Sequence, residues 1–525
     1  MDSFLRRLLL VALTGITLAL SGCESPPGPA FDMVSGSENQ SLEPLVQEFC
    51  KEKRAVCKVS YMGSLDIGLG LRPGFDPKFD AVWPASGIWV DMFDTGRRVS
   101  QMKSISQNPV VLGVRKAKAE ALGWTKGPVS MMDILAAVES GKLRFLMTSA
   151  TQSNSGASAY LSMLSAALGS KAMLGKGDLT AATADTVSRM LRGVERSAGS
   201  SGWLADLYVD SAEKGVVYDA MWNYEAVIKE TNDKLRSQRH EVIWAIYPSE
   251  GVAVSDSPLG FLERGRGPEV KAFFDELQAH LLSPEVQARI AQTGRRVPTD
   301  FAAPAKPEPD WNFDPSRLVT AAPLPEPGVI RQALVIYQET LRRPSLSVLC
   351  LDFSGSMQGN GESALQRAME FLLTPARASE VLVQWSPRDH IVIIPFSGNV
   401  IGTWEGSGQG VDQAKLLAQV QSMQAGGGTN MYACVSEGLR RMHAVSASQD
   451  YLPAVVIMTD GRSDGDPGAF IRSLSAEDRK VPIFGVTFGD ADRSQLEQLS
   501  AATGGRVFDG AKDLTGAFRS ARGYN

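Results

Sequence analysis

Histidine is scarce in this chain. Four occur in 525 residues, at His240, His280, His390 and His443, and neither they nor the five cysteines fall at zinc-ligand spacing. A phosphate-binding G-x-x-x-x-G-K-[ST] string is absent; the nearest stretch, "GSKAMLGKG", has the wrong spacing and no hydroxyl after the lysine, which argues against ATP hydrolysis. "GRSDG", Gly461 to Gly465, spells a nucleophile elbow, but that elbow is followed by its histidine in the chain, and every histidine here precedes Ser463. Excess positive charge is also missing: 53 Lys and Arg stand against 58 Asp and Glu, a net of -5, which sets nucleic-acid binding aside. With no nucleophile and base to pair, the chain is expected not to be an enzyme.

The N-terminus carries an apolar run. "MDSFLRRLLLVALTGITLALSGC" places Arg6 and Arg7 before apolar residues from Leu8 to Leu20, too short for a membrane span of about 20 residues and suited to a secretory h-region. "LSGC" resembles the lipobox of bacterial lipoproteins. The resemblance implies removal of residues 1–22, diacylglycerol on the Cys23 thiol, and a tether over 23–30 containing "ESPPGPA". The expected location is the bacterial cell envelope, lipid-anchored and facing the periplasm or the exterior. Four cysteines then remain in an oxidising compartment. Cys50 and Cys57 flank "KEKRAV", where a helix bearing Leu42, Leu45, Val46 and Phe49 turns into the strand "VCKVSYM". Such a turn brings the sulfurs together, whereas an unbroken helix holds them about 10 Å apart, so a disulfide is predicted there. The state of Cys350 and Cys434 stays open.

A chain of this length suggests two to four folding units, at roughly 150 residues each. The clearest composition shift is the proline-dense stretch at 298–327, which can hold neither a regular helix nor a central strand and reads as an extended connector. It divides the chain into 31–300, a linker and connecting helix over 301–343, and 344–525. In the last part continuous apolar strands ("LSVLCLD", "HIVIIPF", "AVVIMTD", "VPIFGVTF") alternate with amphipathic helices, the pattern of a parallel, doubly wound α/β sheet. Ligands of such sheets sit beyond the carboxyl ends of the strands.

At one of those ends lies "DFSGSM". Asp352, Ser354 and Ser356 alternate in an extended turn and so face one way. "AGGGTNMYA" puts Thr429 at a glycine-rich turn before a helix, and "VVIMTDG" puts Asp460 at another strand end. Two carboxylates and three hydroxyls suit a hard, oxygen-liganded cation, Mg²⁺ first, with Ca²⁺ or Mn²⁺ as substitutes. Taken singly, each residue would pass for a cap or turn former. Together they resemble the metal-ion-dependent adhesion site of a von Willebrand factor type A (VWA) domain, D-x-S-x-S, a threonine and a later aspartate. That family implies a Rossmann-like fold and a coordination position left for an acidic side chain of a protein partner. The remaining aspartates of "DGRSDGDPG" lack the spacing of a calcium loop and read as a solvated turn.

The front half mixes strands and helices less regularly. Two polar turns open helices, "SGSENQSLEPL" with Ser35 and Ser37, and "TSATQSNSGASAYL" with Ser153 and Ser155; helix N-termini of this kind suit anions, though capping alone also explains such serines. "FDAV" before "WPAS", then "MWNYEAVI", "IWAIYPSEGVAVSDSPLGFL" and "FFDELQAHLLSPEVQARIAQTGRRVP", resemble type 2 periplasmic solute-binding proteins. The resemblance implies two α/β lobes joined by crossing strands, with Ser35, Ser37, Ser86, Ser155, Tyr224 and Glu225 projecting into the cleft. An oxyanion is the first expectation for the solute, provided Glu225 turns away.

The expected whole is an envelope lipoprotein joining a solute-binding-like module to a Mg²⁺-dependent protein-docking module. The alternative is a solute receptor of an ABC-type importer with an accessory adhesion domain. A cleft filled by protein side chains would instead mark a front module that has lost its ligand.

Overall fold

The computed structural model describes residues 28–525 apart from positions 75, 170–172, 299, 301, 446–449, 490–491, 512–513 and 524–525. The leader, Cys23 and most of the tether lie outside the described residues. No helix among the described residues is long and apolar enough to cross a membrane.

The front half folds as two lobes. Lobe 1 holds strands β1 (Ala30–Gly36), β2 (Val56–Met62), β3 (Ala81–Trp83), β4 (Val99–Ser104) and β11 (Pro258–Leu262), in the order β2-β1-β3-β11-β4. Its helices include α1 (Glu43–Glu52) and α2 (Ser64–Leu69). Helix α1 ends where Arg54 takes a left-handed φ of 54°, and the reversed chain lets Cys50 and Cys57 bond across the turn. Lobe 2 holds β5 (Asn108–Arg115), β6 (Phe145–Thr148), β7 (Val194–Ala198), β8 (Ala220–Tyr224), β9 (Ile243–Ile246) and β10 (Val254–Ser255), in the order β10-β5-β8-β6-β7 with β9 beside β5. Helices α3 (Asn154–Ala167), α4 (Ser201–Glu213) and α5 (Glu225–Ser237) belong to it. Between strands the chain crosses from lobe 1 to lobe 2 at β4 to β5 and back at β10 to β11, and it returns to lobe 2 where Arg296 pairs with Glu225.

The proline-rich stretch is extended, as its composition requires, but it does not hang free. Trp311 and Phe313 are buried and stacked, with ring centroids 4.7 Å apart, and Arg236 on α5 pairs with Glu308 and Asp310. Each aromatic ring brings on the order of 200 Å² of surface, enough to dock a segment that has no regular structure of its own. Helix α6 (Pro327–Ile336) follows, burying Val329, Ile330, Ala333 and Leu334, and Tyr160 on α3 donates to the Ala333 carbonyl at 2.9 Å. One hydrophobic core therefore runs from Leu146 in lobe 2 through Ile330 to Leu349 and Phe484 in the C-terminal sheet.

That sheet comprises β12 (Ser345–Asp352), β13 (His390–Phe396), β14 (Trp404–Ser407), β15 (Leu452–Thr459), β16 (Ile483–Thr487) and β17 (Val507–Asp509), in the order β14-β13-β12-β15-β16-β17. All neighbours are parallel except β14, an antiparallel edge that makes the sheet mixed. Helices used below are α7 (Asn360–Leu373), α8 (Met431–Ala444) and α9 (Leu514–Arg522). Helix α9 docks on both lobes. Arg519 pairs with Asp66 on α2, donates to the Thr151 carbonyl at 3.3 Å, and accepts at its own carbonyl from Gln152.

Candidate functional site

The candidate metal constellation grows from the middle of the C-terminal sheet. Every residue of β12 is buried, as a central parallel strand covered on both faces demands, and Asp352 is its last residue. There the chain leaves the sheet in a tight turn, with the Ser354 amide donating to Asp352 Oδ1 at 2.8 Å; an aspartate bonding the backbone two residues on holds such a turn in shape. Ser354 and Ser356 hydroxyls are 3.1 Å apart, and Ser356 Oγ donates to Asp460 Oδ1 at 2.8 Å. Asp460 directly follows β15, the neighbour of β12. The sheet thus brings Asp352, Ser354, Ser356 and Asp460 into one linked set, open to solvent at exposed Ser356.

Thr429 arrives on the loop before α8, which is laced to the same turn: the Gly355 amide donates to the Gly427 carbonyl at 3.0 Å and the Gly426 amide to Phe353 at 2.8 Å. A Cβ on Gly355 would lie 3.2 Å from that Gly427 carbonyl, so the approach favours glycine. The Thr429 carbonyl accepts from the Asp464 amide at 2.7 Å and from Ser463 Oγ at 3.3 Å. Burial pushes the Asp352 carboxyl up from its ordinary value, the nearby Asp460 charge adds to this, and hydrogen bonds from Ser354 and Thr459 oppose it. Bringing a cation to such a pair relieves both penalties. Among the described residues no three His, Cys, Asp or Glu side chains gather to hold a metal. Charge here is therefore limited to the two carboxylates, and hydroxyls make up the donor set, a composition that fits a hard divalent ion.

In the front half the cleft is shut. Ser37 Oγ of lobe 1 accepts from the Gly202 amide of α4 at 2.9 Å, the Leu65 amide donates to the Gln152 carbonyl at 3.1 Å, and Trp89 Nε1 donates to Asn154 Oδ1 at 2.8 Å. Asn154 Nδ2 in turn donates to the Tyr224 hydroxyl at 2.9 Å and to Ser255 Oγ at 2.7 Å.

A family comparison assigns residues 33–296, just over half of the chain, to the bacterial extracellular solute-binding proteins. The chain belongs to that family. Residues 348–517 match the von Willebrand factor type A domain. No curated protein matches in sequence. Among solved structures, the sulfate-binding protein SubI from Mycobacterium tuberculosis is 16% identical with a TM-score of 0.40, over 53% of this chain and 93% of its own. A putative extracellular solute-binding protein from Bordetella parapertussis is 14% identical, TM-score 0.40, over 59% of this chain and 97% of its own. A von Willebrand factor type A protein from Catenulispora acidiphila is 15% identical, TM-score 0.28, over 35% of this chain; the chain spans only 43% of that protein's length.

Within the solute-binding fold the residues read from sequence separate into groups. Ser35, Ser37 and Tyr224 are all buried; of the three, Ser37 bonds across the lobes, whereas Ser35 Oγ is held within lobe 1, donating to the Trp83 carbonyl at 3.1 Å and accepting from Asn39 at 3.2 Å, and the Tyr224 hydroxyl accepts from Asn154 of lobe 2. Ser155 is spent within lobe 2, sharing its hydroxyl with Thr148 at 2.9 Å and Ser153 at 3.2 Å. Ser86 is buried in the loop after β3. Glu225 is the correction: Arg296 grips its carboxylate with bonds of 2.8 and 2.9 Å, and the Tyr247 hydroxyl donates to it at 2.6 Å, which makes it a structural ion pair rather than a cleft ligand.

One residue beside Asp352 escaped the sequence reading, and one pairing it left open is now decided. Thr459 donates to Asp352 Oδ2 at 2.5 Å; its place just before Asp460 in "MTDG" was the available signal. Cys350 and Cys434 form a second disulfide, joining the strand that ends in Asp352 to the helix that follows Thr429. It closes a loop of sequence separation 84, and replacing both cysteines by serine is expected to lower stability by about 2–4 kcal/mol, read as a lower urea midpoint with a steeper slope, because the denatured chain freed of the cross-link exposes more surface.

Proposed function

We propose that this protein is a non-enzymatic lipoprotein of the bacterial cell envelope, in which a solute-binding-like module carries a Mg²⁺-dependent protein-docking module. The observation that carries this reading is the linked set Asp352, Ser354, Ser356 and Asp460 at one sheet edge, with Thr429 on the loop laced to it. Bound there, Mg²⁺ would offer one coordination position to an acidic side chain of a partner. The chain's own residues supply the rest: Thr459 and the Ser354 amide hold the Asp352 carboxylate in place, and Ser356 leaves the opening accessible. The extracellular solute-binding family supports an envelope address, and the leader sequence supports a lipid anchor.

Pull-down from envelope extract with the full chain tests the docking role. A partner retained with Mg²⁺ and released by EDTA is the expected result; equal capture in both would overturn it. Membership of the solute-binding family favours a second reading, the receptor of an ABC-type importer for a small solute or oxyanion. It requires lobes that open, and a thermal-shift screen of metabolites and oxyanions without a hit would count against it.

A further inference from the structure

Between the lobes sits a side chain that a solvent-facing helix turn would not bury. Glu38, in "SGSENQS", is 5% exposed. Its Oε2 accepts from the Ser201 hydroxyl at 3.0 Å, and Ser201 is the first residue of α4. Its Oε1 has no hydrogen-bond partner. The carboxylate lies flat on Gly36, where a Cβ would come within 1.9 Å of Oε1. Next to it, Ser37 takes the Gly202 amide of the same helix start. A lobe 1 turn has thus set two of its own side chains against the start of a lobe 2 helix, Ser37 on the Gly202 amide and the Glu38 carboxyl on the Ser201 hydroxyl.

The space around this contact is closed by backbone. A Cβ at Gly63 of lobe 1 would stand 2.2 Å from the Gln152 carbonyl and 2.6 Å from that of Gly199, both in lobe 2. Outside, α9 holds Asp66 of lobe 1 and Gln152 of lobe 2 at once, and the Gly523 carbonyl accepts from Ser197 at 3.2 Å. Closure is therefore complete with protein groups alone.

We propose that the interlobe cleft is a carboxyl-binding site filled by the chain's own Glu38, a tethered carboxyl group that keeps the front module closed in place of a captured solute. This goes beyond the docking role and does not depend on the metal: loss of Mg²⁺ binding leaves it untouched. Burial pushes the Glu38 carboxyl up to about 7, against the opposing pull of its own backbone amide, Ser201 and Arg295, with Glu230 adding to the rise. Tyr224 faces the same carboxylate from β8. A folded-state value above the unfolded one means the folded form binds the proton more tightly. The contribution of Glu38 to stability is thus greatest below the ordinary 4.5 and declines as pH rises toward 7.

The test compares the full chain with Glu38→Ala and Glu38→Gln, using formate and acetate as probes and chloride as control. In Glu38→Ala the vacated site should accept the small carboxylates, raising the unfolding midpoint by roughly 3 °C, while the native chain stays unmoved and chloride does nothing. An equal rise in the native chain, or no rise in Glu38→Ala, overturns the proposal. Glu38→Gln keeps the shape and removes the titration. It should lose the decline in stability between pH 4.5 and 7, and an unaltered pH profile overturns the proposal even if the alanine variant fails to fold.

Discussion

Asp352→Ala is expected to abolish Mg²⁺ binding, with a fall in affinity of at least ~100-fold, and to remove Mg²⁺-dependent partner capture with it. The magnitude follows from position. Even residues that only orient a ligand are worth about 10- to 100-fold in metal affinity, and Asp352 is one of two carboxylates in a set otherwise made of hydroxyls. It is also the better held of the two, receiving the Ser354 amide and the Thr459 hydroxyl. Its removal strands two donors at a cost of about 1–3 kcal/mol each, so Asp352→Asn, which keeps the shape while discarding the charge, is the cleaner variant. Calorimetric titration with Mg²⁺ reads the effect; binding within a few-fold of the native chain would remove Asp352 from the ligand set. Asp466→Ala is the matched control. That aspartate caps a helix through the Gly468 and Ala469 amides and pairs with exposed Arg472 at 3.7 Å, so its loss should cost about 1 kcal/mol of stability and leave metal binding unchanged.

The largest expected loss of stability comes from Asp389. It is fully buried between Arg342, at the end of the connecting helical segment, and Arg522, at the end of α9, and it also accepts the Ser345 and Ser386 amides at 2.8 Å each. Burial alone would raise its carboxyl, yet Arg342 and Arg522 hold it below the usual carboxylate range. Asp389→Ala leaves two guanidinium groups buried beside each other without a counter-charge, which costs about 3–5 kcal/mol, read as the denaturant midpoint. The sign with pH is set by the lowered value. The stabilisation is present above the ordinary 3.8 and is lost as pH falls through the folded-state value. Asp389→Asn should flatten that acid limb.

What could be read from sequence tracks how local the cause is. Strand β12 was legible because burial on both faces makes it a continuous apolar run, and the D-x-S-x-S turn was legible because alternation along one short segment places its side chains. Edge strand β14, "WEGS", has no such run and went unseen. Ser35 and Ser37 were found as a turn, but Glu38 was passed over, since an acid in the first turn of a helix is ordinarily solvated. Its burial depends on Ser201, 163 positions away. Glu225 was misassigned for the same kind of reason, because its partner Arg296 lies 71 positions on. The candidate metal set could be assembled from sequence only because its distant members, Thr429 and Asp460, each sit at a turn recognisable by itself.

The docked connector also has a mechanical meaning. With Trp311 and Phe313 seated beside lobe 2 and α6 inside a shared core, a pull applied at the metal face meets no slack before it reaches the front module. A segment with the composition of a hinge behaves as a strut, and a partner docked through a cation at Asp352 and Asp460 would load the described residues as one body.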